Sequence, residues 1–229
     1  MHQLLHFSNP GVGTTRLSVP HDYAKVRQSS DSHHSVRAFE KRKYGKRCMT
    51  RIIEEPTSRI ASLASAIDSL LASEACFDPR VIQRMIRDAF PDGNWLPRPM
   101  CQPGDEGYAR HVLHSDAADR YTIVALVWTQ GQHSPVHAHH TWCALCVVEG
   151  ELLEEFFAYD PDGAAAVPAG SACRQVGEGS SGTAGLHLIH RVGNARPGTA
   201  ISVHIYGVAT SEMSSGINHV LPVVETAAA

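Results

Sequence analysis

The sequence predicts a mainly β fold, a small barrel or sandwich preceded by two helices. Three observations carry this expectation. From Tyr108 onward, short runs rich in β-branched and aromatic residues follow one another, separated by Gly, Pro and Asp clusters. Ahead of them, residues 57 to 90 place apolar residues at helical spacing instead. A chain of 229 residues with 43% hydrophobic content is large enough to bury one substantial core.

The first fifty residues differ in composition from the rest. All four lysines lie there, and nine Lys and Arg face only three Asp and Glu. SSDSHH and FEKRKYGKR show no apolar periodicity. This stretch reads as a disordered or non-native basic extension, with Met49 as an alternative start. A basic arm for an acidic surface and a transit peptide are the other readings.

The expected domain spans residues 51 to 229. Thr57 or Ser58 is a candidate helix cap, and Ile60, Leu63, Ile67, Leu70 and Leu71 share a helical face. Pro79 opens a second helix through VIQRMIRDAF, and PDG closes it. The barrel is expected over about 105 to 225. Its strands are ARHVLHS, YTIVALVW, WCALCVVEG, LLEEFFAY, a stretch around 173 to 176, GLHLIHRV and TAISVHIYG. The two helices should pack on its outside.

Several functions are disfavoured. No apolar run reaches the eighteen residues of a membrane span, and the start lacks a secretory pattern. A net charge of -3 gives no reason to expect a nucleic-acid partner. Six cysteines without a framework spacing fit a reducing cytoplasm. The oligomeric state is left open.

Fifteen histidines are many, and six of them fall between residues 111 and 140. HSPVHAHHTWC, residues 133 to 143, is the densest stretch. On a strand, His137 and His139 project to one face and His140 to the other. An H-x-H pair of this kind can clamp a divalent metal or simply be surface polar. The spacing around the pair is more telling. Gly131, five residues, His137, Ala138, His139, three residues, Cys143, six residues and Gly150 run in order. That resembles the first motif of the cupins in every spacing, with Cys143 where the family usually has glutamate. His190 to Asn194 resembles the H-x3-N ending of the second cupin motif, without its P-x-G opening. His190 is therefore the third expected ligand, ahead of His187.

A cysteine at the glutamate position is similar to the thiol dioxygenases, above all the cysteine dioxygenase family. Other residues extend the likeness. Ser202, His204 and Tyr206 match a strand S-x-H-x-Y. Tyr108 and Arg110 match a Y-x-R segment, and Trp128 resembles a pocket tryptophan. The resemblance covers about 108 to 207. It implies Fe(2+) held by His137, His139 and His190, with a small thiol and O2 as substrates. It implies Arg110 pairing the substrate carboxylate in a desolvated pocket, with Tyr108 and Trp128 lining it. Tyr206 would hold dioxygen or pass a proton, oriented by His204 and Ser202. Cys143 would be able to join Tyr206 by a thioether. Bacterial 3-mercaptopropionate dioxygenases are similar too, but typically carry glutamine at position 110 and glycine at 143. L-cysteine is thus the first expected substrate and 3-mercaptopropionate the second.

Plainer roles stand beside these. Arg110 could hold a surface carboxylate, and Cys143 could be a small buried hydrophobe. Ser202, His204 and Tyr206 could be a hydrogen-bonded core trio. Cys146 reads as core. A zinc or manganese cupin isomerase and a non-enzymatic cupin binding module are the rival classes.

Overall fold

The computed structural model describes residues 56–73, 76–91, 96–104 and 107–224. The expectation of a basic extension over residues 1 to 50 lies outside them. Two helices, α1 (Pro56–Leu71) and α2 (Pro79–Ala89), precede ten strands. The strands are β1 (Ala109–Ser115), β2 (Thr122–Thr129), β3 (His137–His139), β4 (Cys143–Glu149) and β5 (Leu152–Asp160). They continue as β6 (Ala165–Arg174), β7 (Ser181–Gly182), β8 (Gly185–Gly193), β9 (Thr199–Tyr206) and β10 (Asn218–Val220). No described helix is long and apolar enough to cross a membrane.

The strands form two five-stranded sheets, ordered β1-β2-β9-β4-β7 and β10-β3-β8-β5-β6. Every pairing within them is antiparallel. The central strands of the first sheet, β2, β9 and β4, are buried on both faces. Alternate residues Ile123, Ala125, Val127, Ala144, Cys146, Val148, Ile201, Val203 and Ile205 pack with Leu63, Ile67, Ile82, Ile86 and Phe90 of the helical layer. The residues between them, including Val124, Leu126, Trp128, Cys143, Leu145 and Tyr206, cluster with Leu152 and Val192 of the second sheet. This explains why Thr122 through Trp128 are all buried, an apolar run rather than an alternation.

The helices form as their apolar spacing requires. Ile60, Leu63, Ala64 and Ile67 lie on one face of α1 and are buried. Asp78 caps α2 by accepting the Arg80 backbone N–H at 2.9 Å, and Pro79 follows at the first helical turn. Thr57 and Ser58 lie inside α1 rather than ahead of it, because the helix already includes Pro56, whose missing N–H suits a first turn. Tyr121 ties α1 to the barrel, its hydroxyl donating to the Ala64 carbonyl at 3.1 Å. Arg120 bridges Asp68 of α1 and buried Asp116. Its guanidinium holds the Asp116 carboxyl well below the usual carboxylate range.

One expected strand was misplaced. Instead of a short stretch around 173 to 176, β6 runs ten residues and ends at Arg174. Its Pro168 and Gly170 read as loop. Both are tolerated because β6 is an edge strand, and its register with β5 breaks between Phe156 and Phe157. The glycines of the first motif have a backbone reason. Gly131 and Gly150 adopt φ of 84° and 73°, and a Cβ at Gly150 would sit 2.9 Å from the Thr199 carbonyl oxygen.

Candidate functional site

The inner faces of the two sheets bring together residues from seven strands. β3 contributes His137 and His139, and β8 contributes His190 as the direct cross-strand partner of His137. The three rings form a nearly equilateral group, with centroids 4.7 to 5.0 Å apart. One ring nitrogen from each falls within 4.8 Å of the others, and all three residues are buried. His140, just past the end of β3, is exposed, and so is His187.

The outward-facing nitrogens define how the rings are held. His137 Nδ1 donates to the Pro135 carbonyl at 2.9 Å. His190 Nδ1 donates to Glu154 Oε1 at 2.7 Å. His139 Nδ1 is buried without a hydrogen-bond partner. In His137 and His190 the Nε2 lone pair is therefore the one turned to the common centre. Burial, with the neighbouring imidazoles, pushes His137 down to about 4 and His139 down to about 2. Both rings are neutral at pH 7, the form that donates to a metal. Three buried imidazoles in a closed group fit a divalent metal as protein ligands.

Behind His190 lies Glu154, fully buried on β5. Burial pushes its carboxyl up, but hydrogen bonds from His190, Ser180 and Arg174 outweigh this and hold it below its ordinary value. Sequence reasoning passed over Glu154. LLEEFF offers two adjacent glutamates, and only the pairing of β5 with β8 decides which one turns inward.

The S-x-H-x-Y segment lies on β9 with all three side chains inward. Trp128 Nε1–H donates to Ser202 Oγ at 3.0 Å, and Ser202 Oγ lies 2.8 Å from His204 Nε2. His204 Nδ1 lies 2.9 Å from the Tyr206 hydroxyl. Burial holds His204 well below its ordinary value, so the ring is neutral and carries one proton. Counting donors and acceptors assigns that proton. The Ser202 hydroxyl has His204 Nε2 as its acceptor, so the ring proton sits on Nδ1 and is donated to the Tyr206 oxygen. The phenolic hydrogen of Tyr206 is then left for the cavity. Burial also raises Tyr206, so the phenol keeps its proton at neutral pH.

Cys143 and Tyr206 are register partners on neighbouring strands. Burial pushes the Cys143 thiol up to about 12, so it is protonated. Cys146 faces the helices, in the core. Tyr108 stacks on Trp128 at 4.3 Å, tilted by 30°. Arg110 lines the cavity from an exposed position on edge strand β1, with no ion-pair partner among the described residues. This corrects the expectation of a desolvated arginine: β1 is the outermost strand of its sheet and none of its residues is fully buried. The cavity among these residues is about 20 Å³, space for one or two waters. Asn218 of β10, opposite His139 in register, and Ser134 also line it; neither was foreseen. Asn218 lies in a strand of three residues, too short to leave a pattern.

Asn194, which ends the second motif, is a turn builder. Its side-chain amide donates to the carbonyls of Trp128 and Gly198 at 3.2 and 3.0 Å, and its Oδ1 accepts the Arg196 backbone N–H at 2.8 Å. It fastens the β8–β9 turn to the end of β2, which carries Trp128.

A sequence model of the cysteine dioxygenase type I family matches residues 60–214. Among solved structures, a double-stranded β-helix protein from Klebsiella pneumoniae shares 17% identity over 49% of this chain and 82% of its own, with a TM-score of 0.38. A cupin superfamily protein from Desulfitobacterium hafniense shares 12% over 47% of this chain and 83% of its own, at 0.35. An oxalate oxidase shares 20% over 47% and 56%, at 0.36.

Proposed function

Since the chain belongs to the cysteine dioxygenase type I family, we propose that it is an iron(II)-dependent thiol dioxygenase that oxidises L-cysteine to cysteine sulfinic acid. The observation that carries this reading is the three-histidine group itself: three buried imidazoles with no carboxylate among them, facing a hydrogen-bonded tyrosine. His137, His139 and His190 would hold the ion. A ferrous ion there supplies the one-electron chemistry that lets dioxygen react with a thiolate. A ligand set without a charge of its own suits an anionic sulfur donor. Sulfur gives up as many electrons as dioxygen takes, and both oxygen atoms end on sulfur, so no outside reductant is needed.

The remaining residues bind and orient. Arg110 offers its guanidinium fork to the substrate carboxylate at the cavity rim. Trp128 and Tyr108 form an apolar wall beside it. Tyr206 turns its hydroxyl hydrogen to the cavity, where it holds a hydrogen bond to the oxygen partner or passes a proton. Ser202 and His204 fix the direction of that hydroxyl, backed by Trp128. The pairing of Cys143 with Tyr206 supports a thioether between the cysteine sulfur and the tyrosine ring. Each partner gives up one hydrogen in forming it, and dioxygen is the oxidant. Cysteines left free among the described residues suit a reducing cytoplasm.

3-Mercaptopropionate is the second reading, and one observation favours it. Among the described residues no acidic side chain lines the cavity, so none of them offers a carboxylate to a substrate ammonium group. Oxygen uptake by the iron-loaded protein, measured with cysteine, 3-mercaptopropionate and cysteamine in parallel, tests both. The expected order is cysteine, then 3-mercaptopropionate, then cysteamine, with sulfinate as product. Equal rates with cysteamine remove Arg110 as the carboxylate partner, and no uptake with any thiol removes the dioxygenase reading.

A further inference from the structure

Among the described residues Glu154 is the acidic group in contact with the three-histidine cluster, and none of the roles above uses it. Its side chain is 1% exposed. Oε1 accepts from His190 Nδ1 at 2.7 Å and from Ser180 Oγ at 2.6 Å. Oε2 accepts from Arg174 Nε at 2.7 Å, and Arg174 is itself only 24% exposed. The three rings are thus held in three different ways. His137 leans on a neutral carbonyl, His139 Nδ1 has no hydrogen-bond partner, and His190 leans on an anion. Orientation alone does not require the anion, since the Pro135 carbonyl orients His137 without one. Burying a carboxylate is costly unless its charge is used or fully paired.

A carboxylate on Nδ1–H draws that proton outward and raises electron density at Nε2. The metal then senses part of a negative charge through the ring. We propose that Glu154 is a positioning residue that supplies, through His190, the anionic character the ligand set lacks. It strengthens metal binding and favours the higher oxidation state of the bound ion. Arg174 opposes it from the other oxygen and sets how much of that charge reaches the ring. The carboxylate absent from position 143 is in effect moved one residue outward, behind a histidine. Among the described residues the cavity lining then carries no acidic side chain, while an ion there would still sense one. The inference rests on the reading of the three histidines as the metal centre.

Two variants of the full chain test it, each loaded with iron(II) anaerobically. Affinity is read by chelator competition and the midpoint potential by redox titration. Glu154→Gln keeps the size and one acceptor but removes the charge. It is expected to weaken iron affinity by about 10–100-fold and to raise the potential. Arg174→Gln releases the carboxylate from its cation and is expected to lower the potential, the opposite sign. Circular dichroism checks that both fold; if Glu154→Gln does not, the sign of the Arg174→Gln shift decides alone. Unchanged affinity and potential in Glu154→Gln overturn the inference and leave the metal centre standing. Shifts of the same sign in both variants also overturn it, since general loosening would do that. A wild-type chain that binds no iron removes the metal centre and this inference together.

Discussion

The sheet β1-β2-β9-β4-β7 has two faces made from the same strands, and they solve opposite problems. Toward the helices, β9 presents Ile201, Val203 and Ile205, and β4 presents Ala144, Cys146 and Val148, all apolar. Toward the cavity, β9 presents Ser202, His204 and Tyr206, and β4 presents Cys143, Leu145 and Val147. The outer face gains stability from burying apolar surface. The inner face buries polar groups, and each needs a partner to offset its lost hydration. The chain of bonds from Trp128 through Ser202 and His204 to Tyr206 provides them. The two cysteines show the contrast in miniature: Cys146 fills core volume, while Cys143 sits across from Tyr206. One layer holds the sheet in place so that the other can afford chemistry.

Removing a metal-binding ring should have the largest effect. His190→Ala is expected to lose iron by more than the about 10–100-fold that loss of a supporting partner costs. Metal analysis after dialysis, alongside a thermal melt of the apoprotein, separates lost binding from lost fold. Next is Tyr206→Phe, expected to slow turnover by about 100-fold with iron content unchanged. Iron lost in parallel would make Tyr206 a structural residue. On the opposite face, Ile82→Ala opens a cavity in a fully buried position of the helical layer. Denaturant titration should register about 3 kcal/mol of lost stability, while turnover per folded molecule stays at the wild-type level.

The inner face should also show itself in pH. His137 and His139 titrate below the unfolded value of about 6.5. Between that value and about 4 the unfolded chain binds more protons than the folded one, so apoprotein stability rises with pH across this window. Acidifying from pH 7 to 5 is expected to cost about 2 kcal/mol for each ring. A melting temperature that does not fall over this range would show that the rings are not buried as described. The smallest effect belongs to the rim. Arg110→Gln should raise KM for carboxylate-bearing thiols by about 10-fold and weaken its dependence on ionic strength, because an exposed pair is screened by salt.

Much of this was legible in the sequence, for physical reasons that can be named. Strand alternation predicted that His137 and His139 would share a face, with His140 and His187 turned away. Spacing predicted that Gly131 and Gly150 matter, and their positive φ explains why. The parity of Ser202, His204 and Tyr206 survived folding because β9 is a central strand with a regular partner in β2. Short or irregular elements were not legible. β7 and β10 have two and three residues, and β6 carries Pro168 and Gly170, which signal a loop wherever the strand is not at an edge. Glu154 stayed hidden because its neighbour Glu155 has the same letter and the opposite fate, paired with Arg191 at 2.6 Å. Arg110 was read as enclosed. Nothing in a sequence says which strand will lack a neighbour.

The open flank of β1 has a consequence for how such a catalyst diversifies. A cation that sits on an outermost ribbon and forms no ion pair within the described chain can be exchanged without repacking the interior. Replacement at this doorway is therefore open to single steps, while the groups around the three histidines, locked between two layers, are bound to one another.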